Sequence, residues 1–195
     1  MFILASPVYN GSAHDGEYVG VLRMAPERQR MECGMRKRAV RHRGFIPWVT
    51  IDRQLRTLRS IWVNTTRPDG RPHAVPVWFT WDGQTLYFAT HQSAQKARNL
   101  ESQTWIVVHA GNGDDALILE GVAEVVTNTT ELHRVDADRA EKYVAPRTGA
   151  RDTILVDGAI VYRLTPTHVM AWMYGDITTR TDWWPDRERA GTDGE

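Results

Sequence analysis

Thr90, Lys96 and Asn99 are the residues whose types and spacing point most directly to chemistry. Thr90 closes a strand-like run, Gln84 to Thr90, and Lys96 and Asn99 stand three apart in the short helical pattern from Ser93 to Glu101. A strand end, a helix N-terminus and a lysine together make a site for an anion such as phosphate. Free backbone N–H groups and the helix dipole favour negative charge there, and the ammonium adds a full positive one. The same residues also read as ordinary surface positions. Pro76 gives a second signal, because it lies inside the alternating run His73 to Trp81. A proline removes a ladder donor, so it marks a sheet edge, a bulge, or a place where something other than a strand lies alongside.

Other chemistries lack their signatures. The histidines, at 14, 42, 73, 91, 109, 133 and 168, form neither HExxH nor an HxH pair, so no metal site is expected. There is no G-x-S-x-G elbow, Walker loop or GxGxxG run. One cysteine, Cys33, excludes an internal disulfide and a cysteine zinc cluster. The chain has 24 basic and 24 acidic residues in 195, a balance that argues against a dedicated nucleic-acid binder. No apolar run approaches the length of a membrane span. Hydrophobic residues at 42% and charged residues at 25% are those of a globular domain, while eight tryptophans are enough to line a pocket or an interface.

The elements that must position these residues begin near Thr50. Ile51, Leu55 and Leu58 recur at helical spacing. Strands are expected over Ser60–Thr65, His73–Trp81, Gln84–Thr90, Thr104–Ala110, Ala116–Thr127, Ala159–Leu164 and Thr167–Trp172, the last two broken at Pro166. Asp82-Gly83 is a hairpin turn, Ser93 an N-cap, and Asn128 with Glu131 a capping box opening a helix to about Tyr143. Without βαβ alternation, the pattern indicates a mainly β fold with α, a small barrel or sandwich. Three segments are expected: an extension over 1–45 with a basic cluster at Arg36, Lys37, Arg38, Arg41 and Arg43, a barrel over 46–175, and a polar tail over 176–195. The basic cluster reads as a solvated extension or as an anion-binding arm.

The stretch from Arg67 to Leu100, RPDGRPHAVPVWFTWDGQTLYFATHQSAQKARNL, resembles the pyridoxamine 5′-phosphate oxidase-like flavoproteins, also called flavin/deazaflavin oxidoreductases. The likeness is carried by Arg67 to His73, Val75-Pro-Val-Trp-Phe79, Trp81-Asp-Gly83, Tyr87-Phe88 and Lys96-Ala-Arg-Asn-Leu100, and continues through Leu119 to Ala123 and Thr165 to Thr167. It implies a split β-barrel of the FMN-binding type, an antiparallel barrel of six to seven strands with short flanking helices, and a cofactor groove at a homodimer interface. It also implies that Thr90, Lys96 and Asn99 hold the cofactor phosphate and that Val75, Pro76, Val77 and Trp78 lie along the ring, with Trp78 and Trp81 walling the ring or packing the core. The family divides between FMN and the deazaflavin coenzyme F-420. The R-x-V-L-L-K strand and QVR motif of true pyridoxamine phosphate oxidases are missing, and PVWF followed by K-x-x-N-L resembles the F-420-using branch. The resemblance thus implies a cytoplasmic oxidoreductase passing hydride to a small unsaturated acceptor. An FMN enzyme and a non-catalytic flavin- or haem-binding module are the rival readings. No general acid or base is assigned, though His73 and Tyr87 stand nearby as candidates for protonating a reduced product.

Overall fold

The computed structural model describes residues 35–37 and 46–185. The first helix, α1 (Trp48–Thr57), forms because Ile51 and Leu55 fall on one face, both wholly buried, while Asp52 and Arg56 pair one turn apart at 2.8 Å on another. Then follow β2 (Ser60–Thr66), β3 (Pro72–Trp81), β4 (Leu86–His91), α2 (Gln95–Ser102), β5 (Trp105–Gly111), β6 (Ala116–Val125), α3 (Thr129–Lys142), β7 (Ala159–Met173) and β8 (Asp176–Pro185), with a three-residue strand, β1 (Met35–Lys37), ahead of α1. Strands β7, β4, β3, β2, β5 and β6 pair in that order, and β6 pairs back onto β7, which closes a six-stranded antiparallel barrel. Strand β8 is added outside on β7, and β1 on β8. The fold class is the one the sequence implies.

The barrel holds one core, in which alternate residues of each strand meet: Ile61 and Val63 from β2, Phe79 from β3, Leu86 and Phe88 from β4, Leu117 and Leu119 from β6. Each such side chain contributes about 1.5–3 kcal/mol when fully buried. A second, smaller cluster lies under α3, where Val135 meets Tyr87, Val126, Ile154 and Val161. The α3 N-terminus is capped as expected, Glu131 N–H donating to Asn128 Oδ1 at 2.9 Å.

Three expectations are corrected. Pro166 does not break its strand: β7 runs unbroken for 15 residues. On one edge, β7 pairs with β4 over Ala159–Leu164 and with β8 from Val169 onward, so Pro166 falls in the gap between partners, where no ladder bond needs its missing N–H. The strand bends there against a register shift at Glu120/Gly121 in β6. Gly121 is required at this point, because a Cβ would lie 2.7 Å from Leu164 Cδ1 and 2.8 Å from the Thr165 carbonyl oxygen.

Residues 176–185, expected as polar tail, are instead β8, which brings Trp183 into the core at 2% exposure. Its alternation is masked because its other face is a polar network. Asp182 accepts from Arg180 and bonds His168 Nε2 at 2.9 Å, while Trp184 stacks on His168. Burial works to raise the Asp182 carboxyl, but these bonds outweigh it and hold the pKa below its ordinary value. Finally, the segment expected as an extension over 1–45 contributes β1, in which Met35, Arg36 and Lys37 pair with Pro185, Trp184 and Trp183. The rest of that extension, including Arg38, Arg41 and Arg43, and the tail beyond 185 lie outside the described residues. No helix among the described residues is long and apolar enough to cross a membrane.

Candidate functional site

The barrel is split between β3 and β4. These strands pair only at Phe79↔Phe88, Thr80↔Tyr87 and Trp81↔Leu86, after which they part. The earlier half of β3, from Pro72 to Trp78, is paired with β2 alone. Its other edge is open, and that is why Pro76, opposite Trp62 in β2, is tolerated mid-strand. His73, Val75, Val77 and Phe79 share the inner face, and burial deepens along the row, Val77 being 7% exposed and Phe79 wholly buried. Thr90, 8% exposed, stands on the opposite lip near the end of β4, paired with Ile160 of β7. The split therefore brings Val75, Pro76, Val77 and Trp78 on one lip to face the end of β4 that carries Thr90.

The closed end of the split is fixed by Tyr143. Its hydroxyl accepts from Phe79 N–H at 3.0 Å and lies 2.7 and 2.8 Å from the carbonyl oxygens of Phe79 and Arg59. Burial pushes the Tyr143 pKa up. The Trp78 ring stacks on that of Tyr143 at 4.8 Å, with the Arg59 and Arg139 guanidiniums over the pair. The Trp78 side chain is thus held against α3, while its backbone remains on the lip. Trp81 is a core residue: it is 7% exposed, packs on Trp48 and donates from Nε1 to Asp52 Oδ1 at 2.9 Å.

The positive corner is built by α2, which packs against β2 and β4. Its N-cap is Ala94 rather than Ser93, with no side-chain bond to the first N–H groups. Ser93 instead pairs its hydroxyl with His91 Nδ1 at 2.7 Å. Lys96 is half-buried and, among the described residues, has no hydrogen-bond or ion-pair partner, and burial lowers its pKa. His73 is pulled below its ordinary value, first by burial and then by the positive charges of Arg67 and Lys96. Arg67 and Lys96 thus both act on His73, with Asp69 beside Arg67 and no carboxylate bonded to Lys96 among the described residues.

Asn99, which the resemblance assigns to the phosphate, is bonded within the protein. It is wholly buried, its amide donating to Thr65 Oγ1 at 2.8 Å and its oxygen accepting from Gln95 Nε2 at 2.8 Å. Thr65 Oγ1 in turn lies 3.4 Å from His73 Nδ1. Asn99 therefore fastens α2 to β2 and positions Lys96. Thr65, Gln95 and Arg67 were not anticipated, because nothing in local spacing ties a threonine to an asparagine 34 residues away. Tyr87 lies away from the split, under α3, its hydroxyl bonded to Glu131 and to Arg134 at 3.0 and 2.8 Å. Burial and the nearby carboxylates push it up to about 12. Of the two protonation candidates only His73 is on the lip.

Around the barrel from the split, the outer face of β2 and β5 is apolar and open. Trp62 is 45% exposed and Trp105 57%, with Val107 between them. Trp62 stacks on His109 and Asn64 bonds both Val107 O and His109 Nδ1, so the face is rigid. A groove of about 380 Å³, bounded by Asn64, Thr65, Thr66 and Trp105, leads from it to the Thr65–Asn99 network.

The geometry agrees with comparisons to known proteins. The family model described as pyridoxamine 5′-phosphate oxidase matches residues 50–173. A curated relative, the F420H(2)-dependent biliverdin reductase of Mycobacterium tuberculosis, is 30% identical over 95 residues, 48% of this chain and 69% of its own length. A conserved hypothetical protein of the same organism is similar in structure, with a TM-score of 0.57 at 25% identity over 66% of this chain and 86% of its own. A Burkholderia lata protein solved with tetrahydrophenazine-1-carboxylic acid shares the fold, with a TM-score of 0.51 at 17% identity over 72% of this chain and 84% of its own. With the split barrel, the open β3 edge and the K-x-x-N-L helix all in place, this chain belongs to the pyridoxamine 5′-phosphate oxidase-like family of flavin- and deazaflavin-dependent oxidoreductases.

Proposed function

We propose that this protein is a cytoplasmic homodimer that binds the deazaflavin coenzyme F-420 in the split and passes hydride to a small unsaturated acceptor. The observation that carries the reading is the open edge of β3 beside Lys96, which has no ion-pair partner among the described residues. A ring system fits the edge, where Pro76 leaves no donor to satisfy, and a phosphate fits the corner of Lys96, His73 and the N–H groups at the start of α2, which no side chain caps. The relative named for F420H(2) supports the choice of F-420 over FMN.

When bound, F-420 supplies two electrons as hydride, so the hard chemistry is the cofactor's. The chain's part is to position and to exclude water. Val75 and Val77 present an apolar face on the lip, and Tyr143 fixes the depth of the split. Lys96 neutralises phosphate charge from a helix that Asn99 and Thr65 hold in place. Burial and the charges of Arg67 and Lys96 disfavour the charged form of His73 on the lip.

Titration with F-420 and FMN, followed by absorbance, tests the cofactor. Saturable binding of F-420, with oxidation of its reduced form when quinones, enones or tetrapyrroles are added, is the expected result. Binding of FMN alone would replace F-420 with FMN, and binding of neither would overturn the reading.

The dimer interface is proposed to complete the cofactor groove and to include Trp62, Trp105 and Val107, since aromatic residues are enriched at interfaces and exposed apolar side chains mark one. Light scattering is expected to give twice the chain mass, and Trp105→Glu the monomer mass. A wild-type monomer that binds cofactor tightly would refute this interface.

A further inference from the structure

A second cleft lies outside the barrel, between α1 and α3. It has a volume of about 490 Å³ and is lined by Arg56 from α1, by Thr80, Trp81 and Asp82, and by Arg134 and Lys142 from α3, with Asp138 and Glu141 at the same helix. It is separate from the split, because Thr80 and Trp81 belong to the segment where β3 and β4 are paired.

Most of its charges are satisfied. Arg56 is bidentate on Asp52, at 2.8 and 3.1 Å. Arg134 is shared among Tyr87, Asp82 and Asp138. Asp82 Oδ1 also accepts the N–H groups of Gln84 and Thr85. Glu141 is exposed and has no ion-pair partner among the described residues, and two buried or half-buried groups stand apart from it. The Thr80 hydroxyl, in a residue 4% exposed, is the one buried side-chain polar atom without a partner among the described residues. Leaving such a group dry carries a free-energy cost that folding normally avoids. Lys142 has no carboxylate partner among the described residues. Its Nζ donates to the Leu55 carbonyl at 3.3 Å and sits 3.9 Å over the Phe79 ring centroid. Burial, and then the positive charge of Arg139, bring its pKa down to about 8.

We propose that this cleft binds a small carboxylate, one oxygen accepting from the Lys142 ammonium and the other from the Thr80 hydroxyl after that buried side chain turns towards it. A carboxylate has two acceptor oxygens and one charge, which match one hydroxyl and one uncompensated cation. A doubly charged phosphate would meet the carboxylates of Asp82, Asp138 and Glu141 in the same cleft. The volume falls in the range of small-molecule sites, and the Trp81 ring gives it an apolar wall.

The chain has only three lysines, Lys37, Lys96 and Lys142, so carbon-13 at the lysine ε positions gives three resonances in the full chain. Lys142→Met identifies the third. Titration with benzoate is expected to move the Lys142 signal saturably and to raise its pKa from about 8 towards the ordinary lysine value. Thr80→Val removes only an unpaired hydroxyl, so it is expected to melt like wild type while weakening benzoate at least about tenfold. An unmoved Lys142 signal, equal affinity in Thr80→Val, a response at Lys96 alone, or tighter binding of inorganic phosphate than of benzoate would each overturn the proposal.

Discussion

Replacing Lys96 with alanine is expected to raise the dissociation constant of the bound cofactor about 10- to 150-fold. A hydrogen bond to a charged group contributes about 1.5–3 kcal/mol, and each decade of affinity is about 1.4 kcal/mol. The upper part of that range is reachable here because Lys96 is half-buried and has no partner to lose among the described residues, so an arriving phosphate gains its full charge. Two neighbours calibrate the effect. Arg98 is exposed and spends its guanidinium on Ser93 O and Gln95 Oε1, so Arg98→Ala is expected to leave affinity within about threefold. Asn99→Ala strands the Gln95 amide and the Thr65 hydroxyl and is expected to cost about 1–3 kcal/mol of stability, weakening the cofactor only through displacement of α2. Titration calorimetry beside thermal melts separates the two classes. Lys96→Ala changes affinity with little change in melting, and Asn99→Ala changes melting first. Equal affinity of wild type and Lys96→Ala, for both F-420 and FMN, would show that the phosphate is not held here.

The contrast between Lys96 and Asn99 shows which parts of the site a sequence carries. Both residues stand in the same motif, and spacing on one helix turn is all that the chain displays. Which of them is bonded within the protein is decided by Thr65, a residue of β2 that comes into range only when α2 packs across the sheet. Pro76 was more informative, because a missing donor is a local fact with a global consequence. Wherever the strand ended up, its edge at that point had to be open, and the parting of β3 from β4 is that opening. Pro166 carried the same kind of information and was misread as a strand end. The rule that a proline needs an unpartnered edge also admits a gap between two successive partners on one edge, as β7 has between β4 and β8. The number and placement of the strands within 60–127 were legible from alternation and turns. The polar network of β8 was not, since Thr181 and Asp182 are buried there through long-range bonds to Ile46 and His168.

Trp183→Ala is expected to cost about 3–5 kcal/mol, the range for truncating a buried tryptophan, against a total stability of about 5–15 kcal/mol for a domain. At 2% exposure, Trp183 packs edge-on to Trp48 at 5.6 Å and faces Val169 in the β7 register, so its loss opens a cavity bounded by α1 and the barrel wall. Neither wall is free to collapse into it: Ile51 and Leu55 hold α1 from the same side, and β7 is fixed on its other edge by β6. Trp184, one residue on, points to the opposite face and stacks on His168 at 4.9 Å while half-exposed, so Trp184→Ala is expected to cost no more than about 1.5 kcal/mol. Removing the chain from Asp176 onward goes further than either. It strips β8 from the outer edge of Val169–Met173, leaves His168 without Asp182, and takes away the Thr181 hydroxyl that accepts from Ile46 N–H. Such a chain is expected to lose its cooperative unfolding transition. Denaturant melts of the three variants give the order, and a Trp183→Ala protein as stable as Trp184→Ala would mean that β8 is an appendage after all, with the barrel complete at Gly175.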